Sequence, residues 1–229
     1  MKKPNELSVL VKTGAATTAL VYRAERSGAV PAALVLAHGA GAGQRSAFMV
    51  EFARALAALG LDIVTFNFLY TEQNRRIPDR PALLEGCYLA VIDKVRAELD
   101  SARRALYIGG KSMGGRIATQ VAAADPAVPI AGLVLLGYPL HPPGKPEQLR
   151  DKHLPAVGRR MLFLQGSRDA FGTPAELAPI VSTLQPAATL HEVARGDHSF
   201  KLPRKDPAAQ AAAHADIQGV IAAWILSAP

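Results

Sequence analysis

The amino-acid sequence predicts an α/β fold with a mostly parallel central sheet and helices on both of its faces. Short, continuously apolar runs such as residues 32–37 and 130–136 have the composition of central strands that are buried on both sides. These runs alternate along the chain with stretches of helical periodicity, the order that crossover units require. No internal repeat or long polar linker divides the 229 residues, so we expect a single domain over residues 1–229.

The first predicted elements are two strands, residues 7–12 and 19–24, whose alternation of apolar and polar side chains is typical of half-exposed edge strands. After the strand at 32–37 comes a glycine-rich loop, then a helix that begins after Ser46 and that Gly60 ends. The later elements continue the alternation: a strand at 61–66, a helix within 78–99, a strand at 104–108, a helix at 113–124, strands at 130–136 and 161–165, a helix after Pro174, a strand at 189–194 and a helix at 207–226.

Residues 138–155 differ from the rest of the chain because they are rich in proline: Pro139, Pro142, Pro143, Pro146 and Pro155. Proline fixes its own φ angle and lacks an N–H donor, so regular structure is disfavoured in this segment. We expect a rigid, lid-like loop over one end of the sheet, short enough to leave a site there fairly open.

Composition and charge exclude several classes of function. The net charge is +7, but lysines and arginines are scattered among acidic residues and form no basic arm, so no nucleic-acid partner is expected. The apolar runs are far shorter than the ~20 residues that span a bilayer, and none follows Lys2 and Lys3 as in a secretion signal. No membrane partner is therefore expected, and the expected location is cytoplasmic. Cys87 is the only cysteine, and its apolar surroundings predict a buried thiol.

A Gly-x-Ser-x-Gly pattern, Gly110-Lys111-Ser112-Met113-Gly114, follows the predicted strand at 104–108 and opens the next helix. A serine hydroxyl is a good nucleophile only when a base takes its proton and a sharp turn, which the glycines permit, fixes its geometry. The helix after the serine directs N–H groups towards the developing oxyanion. The pattern predicts an α/β-hydrolase fold with Ser112 as the nucleophile of a serine hydrolase.

Two nucleotide-binding motifs resemble parts of the sequence but fail on spacing. Gly110-Lys111-Ser112 ends like a phosphate-binding P-loop, yet Ala105 stands where that loop needs its first glycine. Residues 39–43 begin like a dinucleotide fingerprint, yet Gln44 occupies the position of the third glycine. We therefore expect no nucleotide cofactor.

The loop after the strand at 32–37 contains His38-Gly39-Ala40-Gly41. In hydrolases of this type the equivalent loop supplies one oxyanion N–H, and the residue after the nucleophile supplies the other. The predicted donors are therefore the backbone N–H groups of Ala40 and Met113. His38 precedes the nucleophile in the chain, which favours a structural role for its imidazole over that of the base.

The acid and the base of such a site should follow the serine in the order Asp, then His. Asp169 comes after the predicted strand at 161–165, and His198 comes after the predicted strand at 189–194, so both lie at carboxyl ends of strands. His198 would take the serine proton, and Asp169 would orient its ring. Asp197 is the rival acid, but an adjacent residue rarely reaches its neighbour's ring nitrogen.

Five residues near these motifs are candidates for lining the substrate pocket: His38, Gly39, Lys111, Tyr138 and His141. Basic residues also gather near the predicted catalytic edge in sequence: Arg45, Arg75, Arg76, Lys111, Arg116 and Lys201. For these residues, a cationic pocket for an acidic substrate and ordinary solvated charge both stay open. None of the histidines has metal-ligand spacing, so no metal is expected.

Several segments together resemble one branch of the α/β-hydrolase family over about residues 30–225: 38–41, 110–116, 137–141, 149–151, 166–169 and 197–199. This branch includes the testis-expressed hydrolase-like proteins and the catalytic-like domain of a subunit of the nonspecific-lethal chromatin complex. More distantly, the chain is similar to dienelactone hydrolases. The resemblance implies Ser112, Asp169 and His198 as triad positions and no cofactor or metal. Lys111 is a departure, since relatives often have arginine there.

The sequence thus predicts a hydrolase that cleaves a small or medium carboxylic ester or thioester through an acyl-enzyme, with a small-molecule acyl substrate as its partner. An alternative from another class is an interaction module or scaffold that keeps the fold while its activity decays. A peptidase or a lactone hydrolase on the same triad also stays open, because specificity depends on the shape of the pocket. The oligomeric state is not readable from the sequence.

Overall fold

The computed structural model describes residues 3–25, 32–203 and 205–227. It contains one eight-stranded sheet, and its strands are β1 Asn5–Leu10, β2 Ala16–Tyr22, β3 Ala33–Ala37, β4 Asp62–Phe66, β5 Leu106–Lys111, β6 Gly132–Leu136, β7 Arg160–Gly166 and β8 Thr189–Val193. The helices are α1 Ala47–Ala58, α2 Leu69–Glu72, α3 Pro81–Glu98, α4 Asp100–Arg104, α5 Met113–Ala124, α6 Pro174–Val181 and α7 Pro207–Leu226. A short 3-10 helix spans Leu154–Val157.

The sheet has the order β1-β2-β4-β3-β5-β6-β7-β8. Only the pairs β1–β2 and β2–β4 are antiparallel, and every other neighbouring pair is parallel. This arrangement confirms the predicted mostly parallel sheet. Because parallel strands end at the same edge, the loops that follow β3, β5, β6, β7 and β8 meet there, which places the candidate site.

Helices cover both faces of the sheet, as predicted, because consecutive strand side chains point to opposite faces. Val35 packs in a cluster with α3 and α5, whereas its neighbours Leu34 and Leu36 pack in a second cluster with α1 and α7. The central strands β3, β4 and β6 are buried along their whole length. The core therefore consists of two apolar layers, one on each side of the sheet.

Three predicted strands were wrong by two residues or more at both ends. The first two strands begin earlier than expected, at Asn5 and Ala16, because a tight turn around Gly14 occupies residues 11–15 and joins them as a hairpin. The strand predicted at 104–108 instead spans 106–111, because α4 takes the residues before it. The short helices α2 and α4 were not predicted. Cys87 is buried, as expected, and burial raises the pKa of its thiol to about 12.

The proline-rich segment has little regular structure, as predicted, but it packs closely against the body of the protein. The hydroxyl of Tyr138 donates to the carbonyl of Arg150 (2.6 Å), and the Arg150 N–H donates to the carbonyl of Leu140 (2.8 Å). Leu154 and Val157 are buried where the 3-10 helix meets α5. In the part of the chain that the structure describes, no helix is long and apolar enough to cross a membrane.

Candidate active site

Ser112 occupies the sharp turn between β5 and α5. Its φ of 51° and ψ of −115° are unusual for a residue with a side chain, and such strain persists only where the surrounding structure holds it. The Ser112 N–H donates to the carbonyl of Leu136 on the neighbouring strand (2.9 Å), and its own carbonyl accepts the N–H of Arg116 (3.1 Å). These two hydrogen bonds fix the turn between sheet and helix.

Glycines on both sides of Ser112 let this turn approach strand β3 closely. A Cβ atom added at Gly110 would lie 2.3 Å from the carbonyl oxygen of Ala37, and one added at Gly114 would lie 2.4 Å from the same atom. Both distances are far inside van der Waals contact, so no larger residue fits without moving the backbone. The glycines of the sequence motif are therefore required by packing as well as by the turn.

His198 lies beside Ser112 on the loop that follows β8. Its Nε2 is 2.9 Å from the Ser112 Oγ, and its Nδ1 is 2.8 Å from the Asp169 Oδ2. The ring of Phe171 covers the imidazole, with the ring centroids 4.2 Å apart. The structure thus joins the three residues that the sequence nominated for a triad by one continuous chain of hydrogen bonds.

Asp169 is buried after strand β7, and its carboxylate oxygens are fully engaged. The Gln165 Nε2 donates to Oδ2 (2.9 Å), the Phe171 N–H donates to Oδ1 (2.8 Å), and the His198 ring approaches both oxygens. Gln165 also binds the backbone of Tyr138 and of Gly172. A buried carboxylate that accepts this many hydrogen bonds keeps one orientation and holds the imidazole in place.

Asp197, the rival acid in the sequence, lies in a different position. Its carboxylate accepts the N–H groups of Ser199 (2.8 Å) and Lys201 (2.9 Å) and so closes the turn that carries His198. Gly166 makes room for this turn, since a Cβ atom there would lie 2.4 Å from the carbonyl oxygen of Gly196. Asp197 shapes the histidine loop, whereas Asp169 contacts the ring.

Ala40 and Met113 flank Ser112, and both line the same cavity as the serine. Neither backbone N–H donates to an acceptor within the described residues. A Cβ atom added at Gly39 would lie 3.5 Å from the Ser112 Cβ, which shows how closely the loop after β3 approaches the nucleophile turn. Both residues thus line the cavity of the serine with backbone N–H groups that have no partner within the described residues.

Three of the residues expected to line the pocket lie outside it. His38 is fully buried beneath the loop after β3, where its Nε2 accepts the N–H of Phe68 (3.2 Å), and burial lowers its pKa. Tyr138 is fully buried beside the proline-rich segment, and the ring of His141 is directed towards Glu176 (3.3 Å). Gly39 and Lys111 do line the cavity.

Lys111 precedes Ser112 and extends behind the triad. Its ammonium group donates to the carbonyl of His198 and lies 5.3 Å from the centre of the Phe200 ring. Burial lowers the pKa of this lysine to about 8, an effect that the charges of Asp169 and Asp197 partly offset. Gly137 leaves space for the ammonium group, since a Cβ atom there would lie 2.8 Å from Nζ. The lysine thus fastens the histidine loop to strand β5.

The cavity above Ser112 has a volume of about 1070 Å³ and is open to solvent. Its walls are largely apolar: Ala40, Ala42, Ala47, Phe48, Met49, Pro78, Pro81, Leu84, Met113, Pro139, Phe171, Leu202 and Pro207. Basic side chains also line it: Lys111, Arg116, Arg150, Lys201 and Lys205. Arg45 and Arg75, which the sequence grouped with these, instead form ion pairs with Glu6 and Asp79. Within residues 3–25, 32–203 and 205–227, no cluster of metal-ligating side chains is present.

Comparison with protein families decides the identity of the fold. Residues 30–226 match the family model described as an alpha/beta hydrolase domain. The chain belongs to the alpha/beta hydrolase family. This finding agrees with the predicted fold class and with the turn that presents Ser112.

Several solved structures have a similar fold. A lidless α/β serine hydrolase from Xanthomonas campestris superposes with a TM-score of 0.73 at 21% identity, over 100% of this chain and 98% of that chain. A dienelactone hydrolase from Anabaena variabilis gives 0.73 at 22% identity, over 98% of each chain. Est1E from Butyrivibrio proteoclasticus gives 0.75 at 12% identity, over 97% of this chain and 99% of that chain.

Three residues of this hydrolase's site were not singled out for a role in it by sequence reasoning. Gln165 orients Asp169, Phe171 covers His198, and Arg150 lines the cavity. Gln165 did leave a signal, because it is a polar residue directly after the apolar, buried run 161–164. Arg150 left none beyond its place in a segment of family resemblance, since the direction of its side chain depends on how the proline-rich segment folds back.

Proposed function

We propose that this alpha/beta hydrolase is a serine hydrolase that cleaves carboxylic esters or thioesters through an acyl-enzyme. The observation that carries the proposal is the hydrogen-bond chain from the Ser112 Oγ through the His198 ring to Asp169, at the base of an open cavity. A serine in this arrangement has a base for its proton, and the base has a carboxylate that orients it.

In the acylation step, the Ser112 Oγ attacks the substrate carbonyl carbon while the His198 Nε2 takes the hydroxyl proton. The backbone N–H groups of Ala40 and Met113 stabilise the oxyanion, and Asp169 stabilises the imidazolium. The C–O or C–S bond then breaks, and the leaving alcohol or thiol takes the proton from His198. The products are a free alcohol or thiol and an ester of the acyl group with Ser112.

Deacylation repeats these steps with water as the nucleophile. His198 takes a proton from the water as its oxygen attacks the acyl carbonyl carbon, and the second oxyanion forms in the same place. The bond to the Ser112 Oγ then breaks, and His198 returns the proton to the serine. The acid leaves, and the hydrolase returns to its starting state with one water consumed.

The cavity supports an acyl substrate of small or medium size. Its apolar wall includes Phe48, Met49 and Leu84, which would surround a hydrocarbon chain or ring, while the proline-rich segment leaves the mouth open. Est1E was solved with ferulic acid bound, so a structure of similar fold accommodates an aromatic acid. We therefore place the reacting ester between this apolar wall and His198.

We also propose that the chain belongs to the branch of the family that includes the testis-expressed hydrolase-like proteins. The support is the run of segments that includes Gly110–Arg116, Gly137–His141 and Leu149–Asp151. The lone, buried Cys87 favours action in the reducing environment of the cytoplasm.

Pre-steady-state kinetics with p-nitrophenyl esters of two to eight carbons test the proposed function. We expect a burst of p-nitrophenol equal to the enzyme concentration, followed by slower turnover, because p-nitrophenol is a good leaving group and acylation should therefore be faster than deacylation. Ser112→Ala should abolish both phases, whereas Ser182→Ala, at an exposed position after α6, should change neither. Turnover that survives in Ser112→Ala would overturn the proposal.

A further inference from the structure

Two arginines line the cavity of Ser112 from one side. Arg116 is on α5, one turn after the nucleophile, and its N–H donates to the carbonyl of Ser112. Arg150 ends the proline-rich segment, where its backbone is fixed by Leu140 and by the hydroxyl of Tyr138. Both side chains are half-buried. Two positive groups are thus held at one wall of the cavity by rigid parts of the fold.

Neither guanidinium group has an acidic partner within 4 Å in the described part of the chain. Arg150 makes only a long contact with the carbonyl of Pro139 (3.4 Å). Two other half-buried arginines are better satisfied: Arg159 donates to three backbone carbonyls, and Arg160 donates to the Trp224 carbonyl while stacking 3.9 Å from its ring. The pair at the cavity therefore differs from Arg159 and Arg160, and unlike any other half-buried arginine among the described residues it lines the cavity of Ser112.

The two groups are close enough to repel each other. The pKa of Arg150 is lowered by burial and, next in size, by the positive charge of Arg116. Asp151 is the adjacent carboxylate in the chain, but it forms no ion pair with either arginine. A bound anion would remove this repulsion and supply the missing hydrogen-bond acceptors.

The remaining charges of the cavity do not create a second site of this kind. Lys201 and Lys205 are exposed, and Glu51 and Asp206 line the cavity with them. Asp79 also lines the cavity, but its carboxylate is engaged by Arg75 (2.5 Å). Because the ammonium group of Lys111 is bound to the carbonyl of His198, the half-buried positive charge that can meet a ligand lies at the wall formed by α5 and the proline-rich segment.

We propose that Arg116 and Arg150 form an anion-binding subsite and that the natural substrate is an ester or thioester carrying a carboxylate or phosphate group. One helical turn, about 5.4 Å, separates Arg116 from the nucleophile, so a short chain joins the anionic group to the reacting carbonyl. The inference rests on the proposed function for its reaction, and on Arg116 and Arg150 for its substrate class.

Matched esters test the inference by kinetics. The acyl arm compares p-nitrophenyl esters of glutarate and of 4-phosphonobutanoate with the neutral ester of monomethyl glutarate. The leaving-group arm compares two thioesters of valerate. One is formed with 3-mercaptopropionate, which is anionic, and the other with the methyl ester of 3-mercaptopropionate, which is neutral. In at least one arm, the wild-type hydrolase should favour the anionic compound in kcat/KM by about tenfold or more, and which anion it favours separates carboxylate from phosphate.

Substitutions assign that preference to the two arginines. Arg116→Gln and Arg150→Gln should each reduce the preference for the anionic compound about tenfold, with smaller changes for the neutral compound. Arg116→Lys should restore part of it. Arg104→Gln removes an exposed charge outside the cavity and should leave the preference intact. No preference for an anion in either arm, or an unchanged preference in both glutamine variants, would overturn the inference and leave the proposed function standing.

Calorimetric titration of Ser112→Ala with glutarate and with inorganic phosphate distinguishes failure of the anion-binding subsite from failure of the proposed function, because binding is measured without turnover. Binding that is lost in the double variants Ser112→Ala/Arg116→Gln and Ser112→Ala/Arg150→Gln supports the subsite even if no ester is hydrolysed, and then only the proposed function fails. Absence of binding by both anions, or binding that survives both substitutions, overturns the subsite.

Discussion

The nucleophile turn and the proline-rich segment are both loops at the carboxyl edge of the sheet, but they are built differently. At the turn, Gly110 and Gly114 bring the backbone against the carbonyl of Ala37, so packing permits one arrangement. In the proline-rich segment, hydrogen bonds between residues twelve apart, such as the Tyr138 hydroxyl and the Arg150 carbonyl, set the shape. The first region is recognisable from a short local motif, whereas the shape of the second depends on hydrogen bonds that no local motif reveals.

The largest expected effect is the loss of activity when the carboxylate that orients His198 is replaced. Asp169→Asn should lower kcat about 10⁴-fold in ester hydrolysis, because an amide cannot hold the imidazole in the same tautomer. Asp197→Asn is the matched control, on the neighbouring loop after β8. It should lower kcat far less, because Asp197 contacts only N–H groups of its own turn. A larger loss in Asp197→Asn than in Asp169→Asn would reverse the assignment of the acid.

A pair of glycine substitutions compares the stability of the two regions. Gly114→Ala should lower the free energy of unfolding by about 3 kcal/mol, because its Cβ atom would clash with the Ala37 carbonyl. Gly144→Ala, in the proline-rich segment, should cost about 1 kcal/mol, since its Cβ atom meets nothing and only its φ of 73° is unfavourable. Urea denaturation measures both values. Equal losses would show that the turn is no more constrained than the segment.

Because of Lys111, the stability of the folded protein should depend on pH in a predictable direction. Its pKa is about 8 in the folded protein, against 10.5 for an ordinary lysine, so the unfolded chain binds more protons between these values. The contribution of this lysine to stability therefore increases as pH rises through that window. Relative to Lys111→Met, the wild type should become more stable from pH 7.5 to pH 10, by up to about 3 kcal/mol. Urea denaturation at both pH values measures the difference, and a constant difference would contradict the buried ammonium.

The smallest expected effect comes from the proline-rich segment. Tyr138→Phe removes the hydrogen bond to the Arg150 carbonyl and should cost about 1 kcal/mol of unfolding free energy. Hydrolysis of neutral esters should change little, because Tyr138 lies outside the cavity. Thermal denaturation and ester kinetics on the same preparation check both parts. A large loss of activity on the neutral ester would place Tyr138 closer to the chemistry than the structure does.

The sequence was sufficient for the fold and for the three residues that the hydrogen-bond chain joins. Ser112, Asp169 and His198 each follow a strand, and the carboxyl ends of parallel strands meet at one edge, so order along the chain translates into proximity. The fold class follows from the same alternation of apolar runs and helices.

The sequence could not give the direction of side chains in the irregular segments. Tyr138 and His141 were expected in the pocket, but Tyr138 turns inward to the Arg150 carbonyl and His141 turns towards Glu176. Arg150, from the same segment, faces the cavity instead. His38 was also expected to line the pocket, yet it lies beneath its own loop and accepts a backbone N–H. Each of these outcomes depends on a partner distant in sequence.

Labelling with a fluorophosphonate is the most direct test of the central claim that Ser112 is the activated nucleophile. Intact-mass analysis of the wild-type protein should show one covalent adduct, and peptide mapping should locate it on Ser112. The adduct should be absent from Ser112→Ala and strongly reduced in His198→Ala. An adduct that persists in Ser112→Ala and disappears in Ser199→Ala, or no adduct on the folded wild type, would contradict the account.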